Sequence, residues 1–178
     1  MIPELQEIGA VRRVLPLGRY QTTMDELRNK YVPEDNANRR EIWDAFQEVT
    51  AVVQQAYGRL SAVWIGGSFI TSEEVPHDID VVYLVDGDAY NKAASDPRGQ
   101  FITQVLLHKN PLVKRLNDRV DSYLLPVPPT EYGYDYNYMV TRGYWDQFWS
   151  KARFAEGNDR WHYPAAGYLE VIIDGYDA

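Results

Sequence analysis

The stretch from residue 63 to residue 85 constrains the fold more than any other part of the chain. It begins with a short apolar run, residues 63–65, which is typical of a buried strand. Gly66 and Gly67 follow, and the loss of two side chains there permits unusual dihedrals and lets a ligand approach the backbone. Ser68 then adds a hydroxyl group and can open a short helix. Free N–H groups at such a turn favour phosphate.

A second apolar segment, residues 79–85, is introduced by two aspartates, Asp78 and Asp80. Two residues apart in a strand, their carboxylates share one face and lie about 6–7 Å apart along the chain. Aspartate is a poor strand former, so two of them at the mouth of an apolar strand need a counter-charge. Mg²⁺ prefers carboxylate and phosphate oxygens. Two such ions about 3.5–4 Å apart would activate an attacking oxygen and stabilise a leaving pyrophosphate.

The two segments together resemble the signature of the DNA polymerase β-like nucleotidyltransferase superfamily. That signature is Gly-Ser, a spacer of about ten residues, and Asp-x-Asp in a hydrophobic strand. Here Gly67-Ser68 is followed by nine residues and then by Asp78-Ile79-Asp80-Val81. The resemblance implies transfer of a nucleotidyl group from an NTP, with Gly66, Gly67 and Ser68 binding the nucleotide and Asp78 and Asp80 binding metal. The wider frame from residue 17 also looks like an uncharacterised group of bacterial and phage proteins described only as nucleotidyltransferase-like.

The resemblance also implies a third carboxylate on a later strand beside the aspartate pair. Asp121 is the best match, because it lies in an apolar segment, residues 119–125, that we predict to be a strand. Asp118 and Glu170 are the competitors. Asp121 could instead be a strand-edge residue that is solvated or paired with Arg119. The plainer interpretation of the whole motif also stays open: an ordinary glycine turn beside solvated strand-end carboxylates.

The expected fold class is α/β (α+β), with a small mixed β-sheet flanked by helices, and 178 residues suit a single domain, 1–178. We divide it into an N-terminal arm (1–21), helices (22–58), a catalytic core (59–125), and a last part holding a Tyr-rich loop, an aromatic helix and a last strand (126–178). The Tyr-rich loop contains Tyr132, Tyr134, Tyr136 and Tyr138. The sequence predicts helix starts at Thr23, Asn38, Ser95-Asp96-Pro97 and Asn110-Pro111, an aromatic helix over 140–152, and a last strand over 168–173. We expect that last strand at a sheet edge. We also expect Arg39 to be solvated and Asp86 to lie in a turn.

Composition narrows the functional classes. The net charge of −8 argues against loose, charge-driven binding of nucleic acid. The absence of cysteine excludes disulfides and thiolate metal sites and fits a cytoplasmic protein. No apolar run reaches membrane-spanning length and no signal segment opens the chain, so we expect no membrane partner. Tyrosines and tryptophans crowd the last third, where excess aromatic surface would suit a protein partner or a homodimer.

The first functional hypothesis is therefore a Mg²⁺-dependent nucleotidyltransferase, with two Mg²⁺ ions and Mn²⁺ as an alternative. An acceptor hydroxyl of RNA, protein or a small molecule would attack the α-phosphorus of ATP or another NTP. Asp121, or an aspartate of the pair, would help to accept its proton. The second hypothesis is an NTP-binding module without efficient turnover, such as one half of a toxin–antitoxin or phage-defence pair. A purely structural interaction protein is the third.

Overall fold

The protein is described from a computed structural model over residues 1–10, 12–128, 135–153 and 164–176. Within those ranges it forms one five-stranded mixed sheet flanked by α-helices, which confirms the predicted fold class. The elements in chain order are β1 (Gly18–Thr22), α1 (Met24–Tyr31), α2 (Ala37–Tyr57), β2 (Ala62–Gly66), β3 (Ile79–Asp86), α3 (Gly87–Ala93), α4 (Pro97–Leu106), β4 (Val120–Val127), α5 (Tyr136–Trp149) and β5 (Gly167–Ile172). No helix in the described residues is both long and apolar enough to cross a membrane.

The strands are arranged in the order β1-β5-β2-β3-β4. The central strand β2 runs antiparallel to both of its neighbours, whereas β3 and β4 are parallel, as are β1 and β5. The expectation that β5 lies at an edge was wrong. Residues 18–22 form β1 and cover its outer side, although the sequence places 18–21 in an N-terminal arm and residue 22 at the start of the helical part.

The two faces of the sheet are covered by different helices. On one face, Thr50 of α2 shares a hydrogen bond of 2.9 Å with the hydroxyl of Tyr83, which is fully buried. On the other face, Trp145 of α5 packs against Tyr123 of β4, with ring centroids 4.5 Å apart. Because strand residues alternate between faces, the side chains of Asp80 and Tyr123 belong to the face of α5.

Helix starts follow the capping signals closely in two cases. Thr23 accepts a hydrogen bond of 3.1 Å from the backbone N–H of Glu26, and Asp96 accepts one of 2.9 Å from Gly99. The predicted start of α2 at Asn38 was two residues late, because Asn36 is the N-cap. Asp86 is likewise not simply a turn residue. Its side chain caps α3 by accepting from two backbone N–H groups, at 3.0 and 3.1 Å.

Two expectations after α4 need correction. The predicted short helix at Asn110-Pro111 is a turn, in which the Asn110 side chain accepts from the backbone N–H of Leu112 at 3.0 Å. Strand β4 does not stop before Pro126 but continues to Val127. A proline is tolerated there because β4 is an edge strand, where a missing N–H on the outer side breaks no ladder bond.

Helix α5 begins earlier than the sequence predicts. Asp135 caps it, so Tyr136 and Tyr138, which we expected in a loop, lie in its first turn. Tyr132 and Tyr134 fall outside the described residues. At least half of the surface of Tyr136, Met139, Val140 and Tyr144 is exposed along α5. The expected protein partner or homodimer contact in this region stays a prediction.

Candidate active site

The glycine turn and the second strand meet directly at the end of β2. Gly66 is the cross-strand partner of Asp80, and Gly67 then turns with φ +72° and ψ −163°, a conformation essentially confined to glycine. A Cβ atom on Gly67 would lie only 1.7 Å from Oδ2 of Asp80. Residue 67 must therefore be glycine for both backbone and packing reasons. Ser68 follows at the start of a single 3₁₀ turn, Ser68–Ile70.

Gly66 makes room for a different group. A Cβ atom on it would lie 2.6 Å from the ring of Trp149 at the end of α5. The aromatic helix therefore packs directly on the glycine turn. The indole of Trp149 occupies the side of Gly66 on which a Cβ atom would lie. The predicted nucleotide-binding role of Gly66 stays a prediction.

The structure brings the three predicted carboxylates to one end of the sheet. Asp80 and Asp121 are Cα partners in the parallel pairing of β3 with β4, and Asp78 lies just before β3. Of the two competitors for the third position, Glu170 lies on β5, on the far side of β2 from Asp80, and Asp118 precedes β4 with an exposed side chain.

Arg115, which the sequence interpretation overlooked, lies between two of these carboxylates. Its Nη1 is 2.7 Å from Oδ2 of Asp78, and its Nη2 is 3.2 Å from Oδ2 of Asp121. Burial alone would lower the pKa of Arg115, but the hydrogen bond to Asp78 and the nearby carboxylate charges together raise it. The alternative pairing of Asp121 with Arg119 was wrong. Arg119 instead donates to the backbone oxygen of His77 at 2.8 Å.

The two oxygens of Asp121 have unequal surroundings. Oδ2 accepts the hydroxyl of Tyr123 at 3.1 Å and also faces Arg115. Burial and the charge of Asp121 raise the pKa of Tyr123, so this phenol remains a donor at neutral pH. Oδ1 is buried and has no hydrogen-bond partner in the part of the chain that the structure describes. Such an orphaned oxygen is costly in a folded protein unless it has a further ligand.

The donor set suits a hard divalent cation in its chemistry, since it consists of carboxylates and includes this orphaned oxygen. The described residues nevertheless contain no group of three or more histidine, aspartate or glutamate side chains that converge as a ready-made metal site. The Arg115 guanidinium bridges Asp78 and Asp121 instead. The residue types therefore fit Mg²⁺, while their present arrangement is that of an arginine-neutralised cluster.

A cavity of about 510 Å³ opens beside the cluster. Gly67, Ser68, Asp78 and Asp80 line one part of it, together with Trp149. Three basic residues that the sequence interpretation overlooked also line it: Arg12, Lys151 and Arg153. The cavity thus combines an acidic end with basic residues, an arrangement that a metal-bound polyphosphate would complement.

The three basic residues that line the cavity differ in whether they form an ion pair. Arg12 forms an ion pair with Glu73, whereas Lys151 and Arg153 have no ion pair with the described residues. Both follow directly after α5, whose end is fixed by Trp149 on the glycine turn. No motif marks them in the sequence. Only the position of α5 in the fold identifies them.

Arg39 holds the segment that carries Ser68, and the expectation that it is solvated was wrong. It is 5% exposed, and its guanidinium donates to the backbone oxygens of Phe69 at 2.8 Å and Glu73 at 2.5 Å. It also donates to the oxygen of Tyr31 at 3.0 Å. The helical spacing of Arg39 with Ile42 and Phe46, both buried, was the signal available in the sequence.

Together these features define a mixed α+β protein with an acidic cluster and a cavity at one end of a five-stranded sheet. The chain belongs to a family of unknown function, DUF6932, which it matches over residues 10–172. That range includes every residue of the cluster and the cavity lining named above. No curated protein and no solved structure matches the chain.

Proposed function

We propose that the protein is a Mg²⁺-dependent nucleotidyltransferase that moves an NMP from an NTP to a hydroxyl acceptor. The observation that carries the proposal is the direct register of Asp80 with Asp121 on neighbouring parallel strands, with Asp78 beside them. The cavity next to Asp78 and Asp80 is also lined by Gly67 and Ser68. The resemblance of the Gly-Ser and Asp-x-Asp motifs supplies the reaction class.

In this proposal each part of the site has a distinct task. Asp78, Asp80 and Asp121 hold the metal, and Asp121 or one of the pair helps to accept the acceptor's proton. Bound Mg²⁺, or Mn²⁺ in its place, supplies charge stabilisation for the attacking and leaving oxygens. Gly67 and Ser68 cradle the triphosphate. Lys151 and Arg153, which lack ion pairs with the described residues, neutralise its outer phosphates across the cavity.

The acceptor is RNA, a protein or a small molecule. The net charge of −8 disfavours binding of nucleic acid over an extended surface. An RNA acceptor would therefore bind at a small local site or through a partner protein. The exposed face of α5, residues 136–144, is our candidate for acceptor or partner contact. The cytoplasm stays the proposed compartment.

The second candidate is an NTP-binding module with little or no turnover, such as part of a toxin–antitoxin or phage-defence pair. One observation favours it: the guanidinium of Arg115 contacts both Asp78 and Asp121, two of the residues that would hold the metal. Metal-dependent release of pyrophosphate separates the two candidates, because a module that only binds nucleotide releases none.

The test follows each α-³²P-labelled NTP with Mg²⁺ and a total extract of RNA and protein. The Asp78→Ala/Asp80→Ala variant is compared with Asp44→Ala/Asp88→Ala, which removes two exposed carboxylates away from the site. We expect label on one class of acceptor with the wild type and the control, and none with the site variant. Equal transfer by the site variant would refute the proposed enzyme. NTP binding without transfer would favour the binding module.

A further inference from the structure

Two carboxylates of the acidic cluster, those of Asp78 and Asp121, are bridged by a residue that is not fixed in the sheet. Asp80 and Asp121 belong to strands β3 and β4, and Asp78 lies directly before β3. Arg115 instead lies in the irregular segment between α4 and β4, and 29% of its side chain is exposed. The carboxylates are therefore held by the sheet, whereas the guanidinium that bridges two of them is carried by a loop.

The bridging contacts leave one ligand position free. Arg115 and Tyr123 both contact Oδ2 of Asp121, while the buried Oδ1 has no hydrogen-bond partner among the described residues. Asp78 and Asp121 carry two formal negative charges and Arg115 carries one positive charge, so Arg115 alone does not neutralise the two carboxylates that it bridges. Its guanidinium contacts one oxygen of each carboxylate.

We propose that Arg115 is a displaceable counter-ion: it holds Asp78 and Asp121 in the metal-free protein and leaves them when a divalent cation binds. The inference rests on the proposed metal site. Displacement frees the negative charges of Asp78 and Asp121 for the cation. The hydrogen bond from Nη1 to the backbone oxygen of Asp118, at 3.3 Å, gives the released side chain a contact within its own loop. Arg115 is thus a positioning residue that competes with metal.

The experiment measures metal binding and stability rather than turnover. Arg115→Met removes the charge but keeps a long aliphatic side chain. Lys114→Met makes the same charge change one residue earlier, at an exposed position that contacts neither Asp78 nor Asp121. Mn²⁺ binding is followed by electron paramagnetic resonance of the free ion. Thermal unfolding is recorded with and without chelator.

We expect Arg115→Met to bind Mn²⁺ at least about tenfold more tightly than the wild type, which corresponds to about 1.4 kcal/mol. In chelator it should unfold at a lower temperature than the wild type, and Mn²⁺ should raise its Tm by more. Lys114→Met should match the wild type in all three measurements. If Arg115→Met does not fold in chelator, Arg115→Lys replaces it. A single ammonium keeps the charge but loses the planar fork, so binding should tighten by a smaller factor.

Three results would overturn the inference, and they separate it from the proposed function. Equal Mn²⁺ affinity in the wild type and the Arg115 variants would show that no competition exists, while leaving the metal site intact. Weaker binding in the variants would show that Arg115 organises the ligands instead of blocking them. An absence of Mn²⁺ binding at millimolar concentration in every protein would reject both the inference and the metal site on which it rests.

Discussion

Replacing Gly67 by alanine should destabilise the protein strongly, for two reasons that can be separated. The backbone at φ +72° and ψ −163° costs a residue with a Cβ atom about 1–3 kcal/mol. The added Cβ would also lie 1.7 Å from Oδ2 and 2.6 Å from Cγ of Asp80, so that side chain must move. Overpacking of this kind costs about 1–3 kcal/mol. The free energy of unfolding should therefore fall by about 2–6 kcal/mol.

Gly58 provides a matched control. It caps the C-terminus of α2 at φ +74°, and no atom of the described residues lies within 4 Å of a Cβ atom placed on it. Gly58→Ala should therefore cost only the left-handed backbone penalty, about 1–2 kcal/mol. Urea unfolding of both variants, monitored by tryptophan fluorescence and compared at equal m-values, gives the two losses directly.

A double mutant isolates the contact with Asp80. Asp80→Ala removes the two nearest atoms and leaves only its Cβ, at 3.1 Å from the new methyl group. In the Asp80→Ala background, Gly67→Ala should therefore cost about 1–3 kcal/mol less than in the wild type. If the cost is the same in both backgrounds, or if Gly67→Ala loses no more than Gly58→Ala, the described packing of the carboxylate on the turn is wrong.

Three further outcomes follow from single residues. Arg39→Met leaves buried backbone oxygens without a donor, at a cost of about 1–3 kcal/mol per oxygen. The free energy of unfolding measured in urea should therefore fall by about 3 kcal/mol. A fall smaller than that of the exposed control variant Arg40→Met would contradict this expectation. Burial, partly offset by the Thr103 hydrogen bond, raises the pKa of Tyr57 from 10.0 to about 12. The neutral phenol therefore stabilises the fold fully below pH 10, and this stability is lost as the pH rises through about 12. The urea midpoint of Tyr57→Phe should accordingly fall less steeply in that window than that of the wild type. Thr23→Ala removes the N-cap of α1 and should lower the free energy of unfolding by about 1 kcal/mol, whereas Thr23→Ser should not.

The sheet and its main helices could be predicted because each is marked by local chemistry. The apolar runs that became β2 and β3, and the cap of α1 at Thr23, are properties of a few neighbouring residues. The order of the strands, in contrast, does not depend on neighbouring residues alone. Nothing in residues 18–22 reveals that they pair with β5, since that contact joins opposite ends of the chain.

The residues of the candidate site likewise differ in whether the local sequence could predict them. The motif identifies Gly67, Asp78 and Asp80 because they lie within one short stretch. Asp121 could be proposed only from its apolar flanks, and its register with Asp80 depends on the parallel pairing of two strands. Arg115 gave no signal at all. Arg115 lies in a segment without hydrophobic periodicity. Its role depends on contacts with Asp78, which is distant in sequence, and with Asp121, which lies on the following strand.

The same face of the sheet carries another acid, Glu170, whose side-chain contacts differ from those of Asp121. Glu170 is 8% exposed and accepts from the indole N–H of Trp64 at 2.8 Å and from the hydroxyl of Tyr176 at 2.6 Å, as a structural carboxylate does. Asp121, in contrast, keeps a buried oxygen without a hydrogen-bond partner among the described residues. Its strand partner Asp80 packs on Gly67, whose backbone only glycine adopts without strain. Departures from packing rules that coincide in one place, while a neighbouring acid obeys them, are expected where the chain has been shaped for a ligand.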